Sequence, residues 1–199
     1  MVCGVLGVAR PASAASSADE LVRQARAHEA MHEDDLAVRR YMEALSLDPT
    51  SPDAWMGLGA LRMRLGDPAE AERVYAAALD HVPSLHVAIA GRARALWAAG
   101  RHREAEEALD GYATLESDAA ALRELAGWYG SDARTPAQLA TWRRLLAMAS
   151  RDADAAAARE ARRMVRALVI LVDAADPAAS PAGPDATRRA LAAIARRGG

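Results

Sequence analysis

The sequence predicts an all-α fold of stacked helical hairpins, and three observations carry that prediction. The chain matches itself when slid by 34 positions: Ala44-Leu45-Ser46-Leu47-Asp48-Pro49 returns as Ala78-Leu79-Asp80-His81-Val82-Pro83, and Ala37 and Tyr41 return as Ala71 and Tyr75. A unit of that length holds two helices, cannot bury its apolar face alone, and must stack on its neighbours. Large apolar residues recur at helical spacing, as Trp55 with Leu58 and Tyr75 with Ala78. Composition agrees: of 199 residues 52% are hydrophobic, yet there is no Phe and only four Trp and four Tyr, so Ala must fill much of the interior. Close packing through Ala suits helices, and the Val, Ile and Thr runs of a sheet are missing.

The second unit, from Trp55 to Pro83, is the most complete. Trp55 and Leu58 share one face, Gly59 lets the second helix approach closely with Ala71 as its small counterpart, Gly66 marks the turn, and Tyr75 and Ala78 face the next unit. Pro83 cannot continue a helix and ends it. The unit before it keeps Leu21, Ala25, Ala37, Tyr41, Ala44 and Pro49, with Gln24 where Leu58 stands and His28 where Arg62 stands. A third copy opens near His86 and keeps Ile89, Ala93, Leu96, Gly100, Ala105 and Leu109; with Tyr112 in place of Ala and Ser117 in place of Pro, its second helix is expected to end early, near Gly111. Residues 119–129 and 136–150 read as a fourth, divergent hairpin with Thr135 as N-cap and Pro136 at the first helical position.

These residues resemble the tetratricopeptide repeat (TPR) family, specifically over residues 18–110 and suggestively to about 150. The resemblance implies an all-α, right-handed helical-hairpin solenoid of TPR type with extra C-terminal helices, no catalytic activity, no cofactor, and a protein or peptide partner held in a concave groove. It also implies that the first helix of each pair lines that groove at i, i+4 and i+7. Here those positions are Val22, Arg26 and Glu29, then Met56, Ala60 and Met63, then Ala90, Arg94 and Trp97. Members that bind chaperone tails clamp a terminal carboxylate with Lys and Asn, and this chain has neither residue. An adaptable apolar strip is expected instead, since Met fits irregular partners and Trp offers a large rigid contact, with Arg26 and Arg94 each able to hold a carboxylate. The competing expectation is that Trp97 and the methionines only pack against neighbouring repeats.

Charge divides unevenly along the chain. Residues 1–142 hold 14 Arg against 21 Asp and Glu, and residues 143–199 hold 11 against 6. Within residues 151–174, read as an amphipathic capping helix, Arg159, Arg162, Arg163 and Arg166 form one stripe, and Met164, Val165, Leu168, Leu171 and Val172 are expected on the opposite face. The stripe serves either as the solvated outer face of a terminal repeat or as a site for anionic lipid or nucleic acid. No aromatic residue interleaves it, which disfavours nucleic acid. Residues 175–199 read as a Pro/Ala linker and a short basic helix over 186–197. Self-association through an open solenoid end is a further possibility.

Residues 1–17 read as a signal-like or disordered segment. Val2 to Ala9 is a short apolar run, followed by Ala12-Ser13-Ala14, which has the small-x-small form of a signal-peptidase site; a basic n-region before the run is missing. Export to a bacterial periplasm or envelope is the expectation, a cytoplasmic tail the alternative. Apolar runs in the rest of the chain are too short to span a bilayer, so no transmembrane segment is expected in a mature chain. All 25 basic residues are Arg, and Lys, Asn and Phe are absent, as in products of GC-rich bacterial genomes. The single Cys3 offers no disulfide or thiolate metal site, and Val2 before it argues against lipidation.

One motif points to an enzyme. His28-Glu29-Ala30-Met31-His32 fits H-E-x-x-H, in which two histidines one turn apart bind zinc and the glutamate activates water. The repeat frame, however, puts His32 where Gly66 and Gly100 stand, at a turn, and His81, His86 and His102 fall in later repeats with no zinc-site context. The zinc-hydrolase reading therefore stands third, behind the groove and the arginine stripe. No Gly-rich phosphate loop, G-x-S-x-G elbow or cysteine nucleophile is present.

Overall fold

The computed structural model describes residues 12–175, with side chains from 17 to 173. Its described elements are all helices: α1 (Ala12–Ala30), α2 (Asp34–Leu47), α3 (Pro52–Arg64), α4 (Pro68–His81), α5 (Val87–Ala98), α6 (His102–Leu115), α7 (Ala119–Ser131), α8 (Thr135–Arg151) and α9 (Ala155–Ala175). The chain divides into two compact units, residues 1–108 and 109–199, with the boundary inside α6. α1 includes Ala12-Ser13-Ala14, so the expected N-terminal segment of residues 1–17 overlaps a helix; its apolar run and the expected helix over 186–197 lie outside the described residues.

In the first unit, successive helices pack as hairpins, and α1, α3 and α5 also touch one another in order. The core is made of small residues, Ala25, Ala37, Ala44, Ala71 and Ala78, around the rings of Tyr41 and Tyr75. Glycine makes room for these rings. A Cβ on Gly59 would lie 2.5 Å from Tyr75, one on Gly91 would lie 2.7 Å from it, and one on Gly57 would strike Tyr41. Gly57 and Gly91 are one period apart, as are the two tyrosines, so each ring presses on the first helix of the following repeat. Trp55 is held by its indole N–H, which donates to the Pro49 carbonyl at 2.8 Å, and by stacking on His81 at 5.5 Å.

The turns repeat the period in backbone geometry. His32, Gly66, Gly100 and Ala133 all have positive φ, between 54° and 79°. The residue after each donates its N–H back to the closing helix: Glu33 to His28, Asp67 to Arg62, Arg101 to Leu96, Arg134 to Tyr129. This 6→1 closure satisfies carbonyls that a helix end leaves free. Starts are capped where the sequence permits: Ser51 accepts from the Ala54 N–H, Asp67 from Glu70, and Asp118 from Ala120 and Ala121, with Pro52 and Pro68 entering the first turn.

In the second unit α8 packs on both α7 and α9, around Leu122, Leu125, Trp128, Leu139, Trp142 and Leu145. Arg144 pairs with Asp110 and donates to the Thr114 hydroxyl at 2.9 Å, tying α8 to the end of α6. Two expectations are corrected here. α6 does not end near Gly111 but runs to Leu115, because a helix without a proline at position 117 stops only when Ser117 enters the left-handed region, with φ 52°. Thr135 is not an N-cap: Arg134, whose N–H closes the preceding helix and whose guanidinium lies over the Tyr129 ring, takes that position, and Thr135 is the first helical residue.

Candidate functional site

The nine groove positions all lie in the first unit, but they do not form one uniform lining. Val22 and Ala90 are core residues, 3% and 2% exposed, and offer a partner no surface. A helix face wide enough to touch both its hairpin mate and the neighbouring repeat buries the i position of that triplet. Ala60 is exposed, and Met56 and Met63 on either side of it are half-buried against the core. Arg26 and Arg94 are exposed. Arg26 reaches across to α3, where its Nη2 donates to Asp53 Oδ1 at 3.0 Å, both side chains being largely in solvent. Trp97 is half-buried and stacks on His102 at 4.0 Å between ring centroids, so part of its surface is already spent within the unit.

Glu29 holds the hairpin together. Its Oε1 accepts from the Tyr41 hydroxyl at 2.6 Å, and its Oε2 lies 3.4 Å from Arg64 Nη2, which also reaches Asp34 at 2.7 Å. The H-E-x-x-H geometry is not that of a zinc helix. α1 ends at Ala30, His32 sits beyond it at φ 58°, and His28 Nδ1 is 2.6 Å from Glu33 Oε2. The two histidines thus do not share a helical face, and the glutamate is committed to Tyr41 and Arg64. No group of three His, Cys, Asp or Glu among the described residues is placed to hold a metal ion.

In the second unit, Arg159, Arg162, Arg163 and Arg166 are all exposed on one side of α9, bordering an open depression of about 540 Å³. Beside them Glu160 is occupied, accepting from Arg123 of α7 at 2.8 Å. The opposite face is less apolar than expected: Ala157, Ala158 and Ala161 carry the buried contact with Leu168, Met164, Val165 and Val172 are half-buried, and Leu171 is 51% exposed. No described helix is long and apolar enough to cross a membrane.

A second cleft in the first unit was not anticipated. Met42 and Leu45 of α2, Trp55 and Leu58 of α3, and Val74 and Ala77 of α4 line an open space of about 490 Å³. It lies on another side of α3 from Met56, Ala60 and Met63, roughly 130° around the helix at about 100° per residue. The sequence signal for it was Met42 and Leu45, an apolar pair on the outer side of a second helix, which the groove pattern of first helices passes over.

Comparison with known proteins accords with this architecture. Residues 35–87 match the family described as Tetratricopeptide repeat. The fold is similar to that of the first TPR of Spaghetti (RPAP3) bound to the HSP90 peptide SRMEEVD, at 22% identity and TM-score 0.55 over 60% of this chain and 95% of that one. It is also similar to MamA, at 18% and 0.58 over 77% and 86%, and to PilF of Pseudomonas aeruginosa, at 14% and 0.56 over 80% and 82%. No curated protein matches the chain. Residues 35–87 thus match a tetratricopeptide repeat, and the described residues as a whole share the helical solenoid fold of the TPR type.

Proposed function

We propose that this chain is a non-catalytic scaffold that holds a segment of a partner protein against the α1/α3/α5 face of its first unit. One observation carries the reading: Met56, Ala60 and Met63 leave an apolar strip open on α3, with exposed Arg26 and Arg94 on the adjoining helices. The Arg26–Asp53 pair is solvent-exposed and such pairs contribute little, so a partner's carboxylate can take the place of Asp53 at small cost. The strip supplies adaptable apolar contact and the arginines fix register. That TPR proteins generally act as scaffolds, and that a similar fold carries a bound peptide, support the reading. A photo-crosslinking side chain placed at Ala60 in the native host should capture one major partner, and the same group at the exposed Arg103 or at Arg163 should not. Capture from Arg163 alone would transfer the function to the second unit.

The arginine stripe favours a second reading, an adaptor for nucleic acid or anionic lipid, because its four guanidinium groups have no ion pair among the described residues. Binding of DNA or anionic vesicles that weakens steeply with salt and is abolished in Arg162→Glu/Arg163→Glu would support it. We further propose that the protein works in a bacterial envelope, on the strength of the apolar run from Val2 to Ala9. Mass spectrometry of protein from the native host, showing a chain lacking residue 1 and the run after it, is the expected result; an intact residue 1 contradicts it.

A further inference from the structure

We infer that the cleft between α2, α3 and α4 is a second binding site, for a protein segment that presents an apolar side chain beside a carboxylate. Two independent features point there. The walls are apolar and rigid: Trp55 is pinned by its hydrogen bond to Pro49 and its stack on His81, and Leu58 and Val74 are buried in the core. Only the mouth is adaptable, where Met42 is 56% exposed. In the same wall, the Nε of Arg62 is buried and has no hydrogen-bond partner.

A buried donor without an acceptor is costly, and in a native fold it calls for an explanation. No neighbour supplies the acceptor. Glu70 is the only acid among the described lining residues, and its carboxylate is held by Arg73 at 3.0 Å. The half-buried Arg62 guanidinium, with no hydrogen bond or ion pair among the described residues, is therefore an uncompensated cation in a largely apolar wall, and a partner would meet it through its terminal nitrogens. Its complement is an apolar group with a single carboxylate alongside. The charges of the lining, Arg62 and Arg73 against Glu70, leave a single net positive charge, which suits one Asp or Glu and not the many anions of a lipid surface or a nucleic-acid backbone. This site stands on a different side of α3 from the strip at Ala60, and either can fail without the other.

The full chain with ¹³C-methyl methionine provides the test, because Met42 reports on this cleft while Met56 and Met63 report on the other side of α3. The probe is a blocked hexapeptide with Leu-Glu at the centre of a Gly/Ser frame. The expected result is a saturable shift of the Met42 methyl in the millimolar range, with Met56 and Met63 unmoved. Leu-Gln and Ala-Glu versions should each bind about fivefold to tenfold more weakly, the first losing the charged acceptor and the second the apolar anchor. Arg62→Gln should weaken Leu-Glu by a similar factor and leave Leu-Gln unchanged. Equal affinity for Leu-Glu and Leu-Gln in the wild type, a shift at Met56 or Met63 instead, or no Met42 response up to the solubility of the peptide would each overturn the inference. So would a Met42 shift that follows protein concentration without peptide, which would assign the cleft to a second copy. The wild-type peptide series decides the matter even if Arg62→Gln fails to fold.

Discussion

Tyr41 shows how one side chain serves the fold at several levels. Its ring fills the space that Gly57 leaves open, and its hydroxyl donates to Glu29, joining α2 to α1. Burial first, and the hydrogen bond to Glu29 second, push its phenol well above the ordinary 10.0. The folded chain thus keeps a proton that the unfolded chain releases, so the stability this group contributes is whole below about pH 10 and is lost as pH rises beyond it. Tyr41→Phe should lower stability at neutral pH by about 1–3 kcal/mol, as expected for a hydrogen bond to a charged acceptor, and should flatten the alkaline loss seen in wild type by chemical denaturation across pH. At the next turn His32 occupies the left-handed region at φ 58°, where its counterparts are Gly66 and Gly100. His32→Gly should raise stability by about 0.5–1 kcal/mol in the same assay, since the strain of a left-handed side chain outweighs the extra freedom of an unfolded glycine. A loss of stability would show that the His32 side chain makes a contact whose worth exceeds the strain of its left-handed backbone.

Helix by helix, the close approaches matter more than the polar contacts. Tyr75 lies against both Gly59 and Gly91, so it joins α4 to the first helix of its own repeat and to that of the next. Gly91→Ala would gain helix propensity, yet it forces the ring or the helix to move, and a net cost of about 1–3 kcal/mol is expected in urea unfolding. A neutral or stabilising result would mean that the α4/α5 packing is looser than described. Much of this scale was readable in advance. Trp55, Leu58, Ala71, Tyr75 and Ala78 fell where a hairpin needs them because their spacing is set by helix geometry alone. What escaped were features set by backbone conformation or by three helices at once. Ser117 and Ala133 adopt left-handed turns that glycine would have announced. The burial of Val22 and Ala90 depends on how far each helix is rotated toward its neighbour, which a pattern of i, i+4 and i+7 does not specify. The cleft beside Arg62 needs α2, α3 and α4 packed together, and the helical spacing of any one of them does not reveal it.

Across the molecule, charge is distributed by use. In the first unit most acids are engaged, Asp53 by Arg26, Asp34 and Glu29 by Arg64, Glu72 by Arg92 and Glu104 by Arg101, whereas the stripe on α9 is left without ion pairs among the described residues. On the proposed reading the first unit would recognise a partner by shape and a few placed charges, while the α9 arginines stand without ion pairs among the described residues. The central claim concerns the first of these surfaces. Affinity capture from whole lysate of the native host tests it, with wild type beside a Met56→Glu/Trp97→Ala variant whose fold is confirmed by circular dichroism and thermal unfolding. A partner retained by wild type and lost by the variant is expected, with Arg162→Glu/Arg163→Glu capturing it as wild type does. The same partner held equally by wild type and the Met56→Glu/Trp97→Ala variant would contradict the claim that the α1/α3/α5 face is where this protein binds.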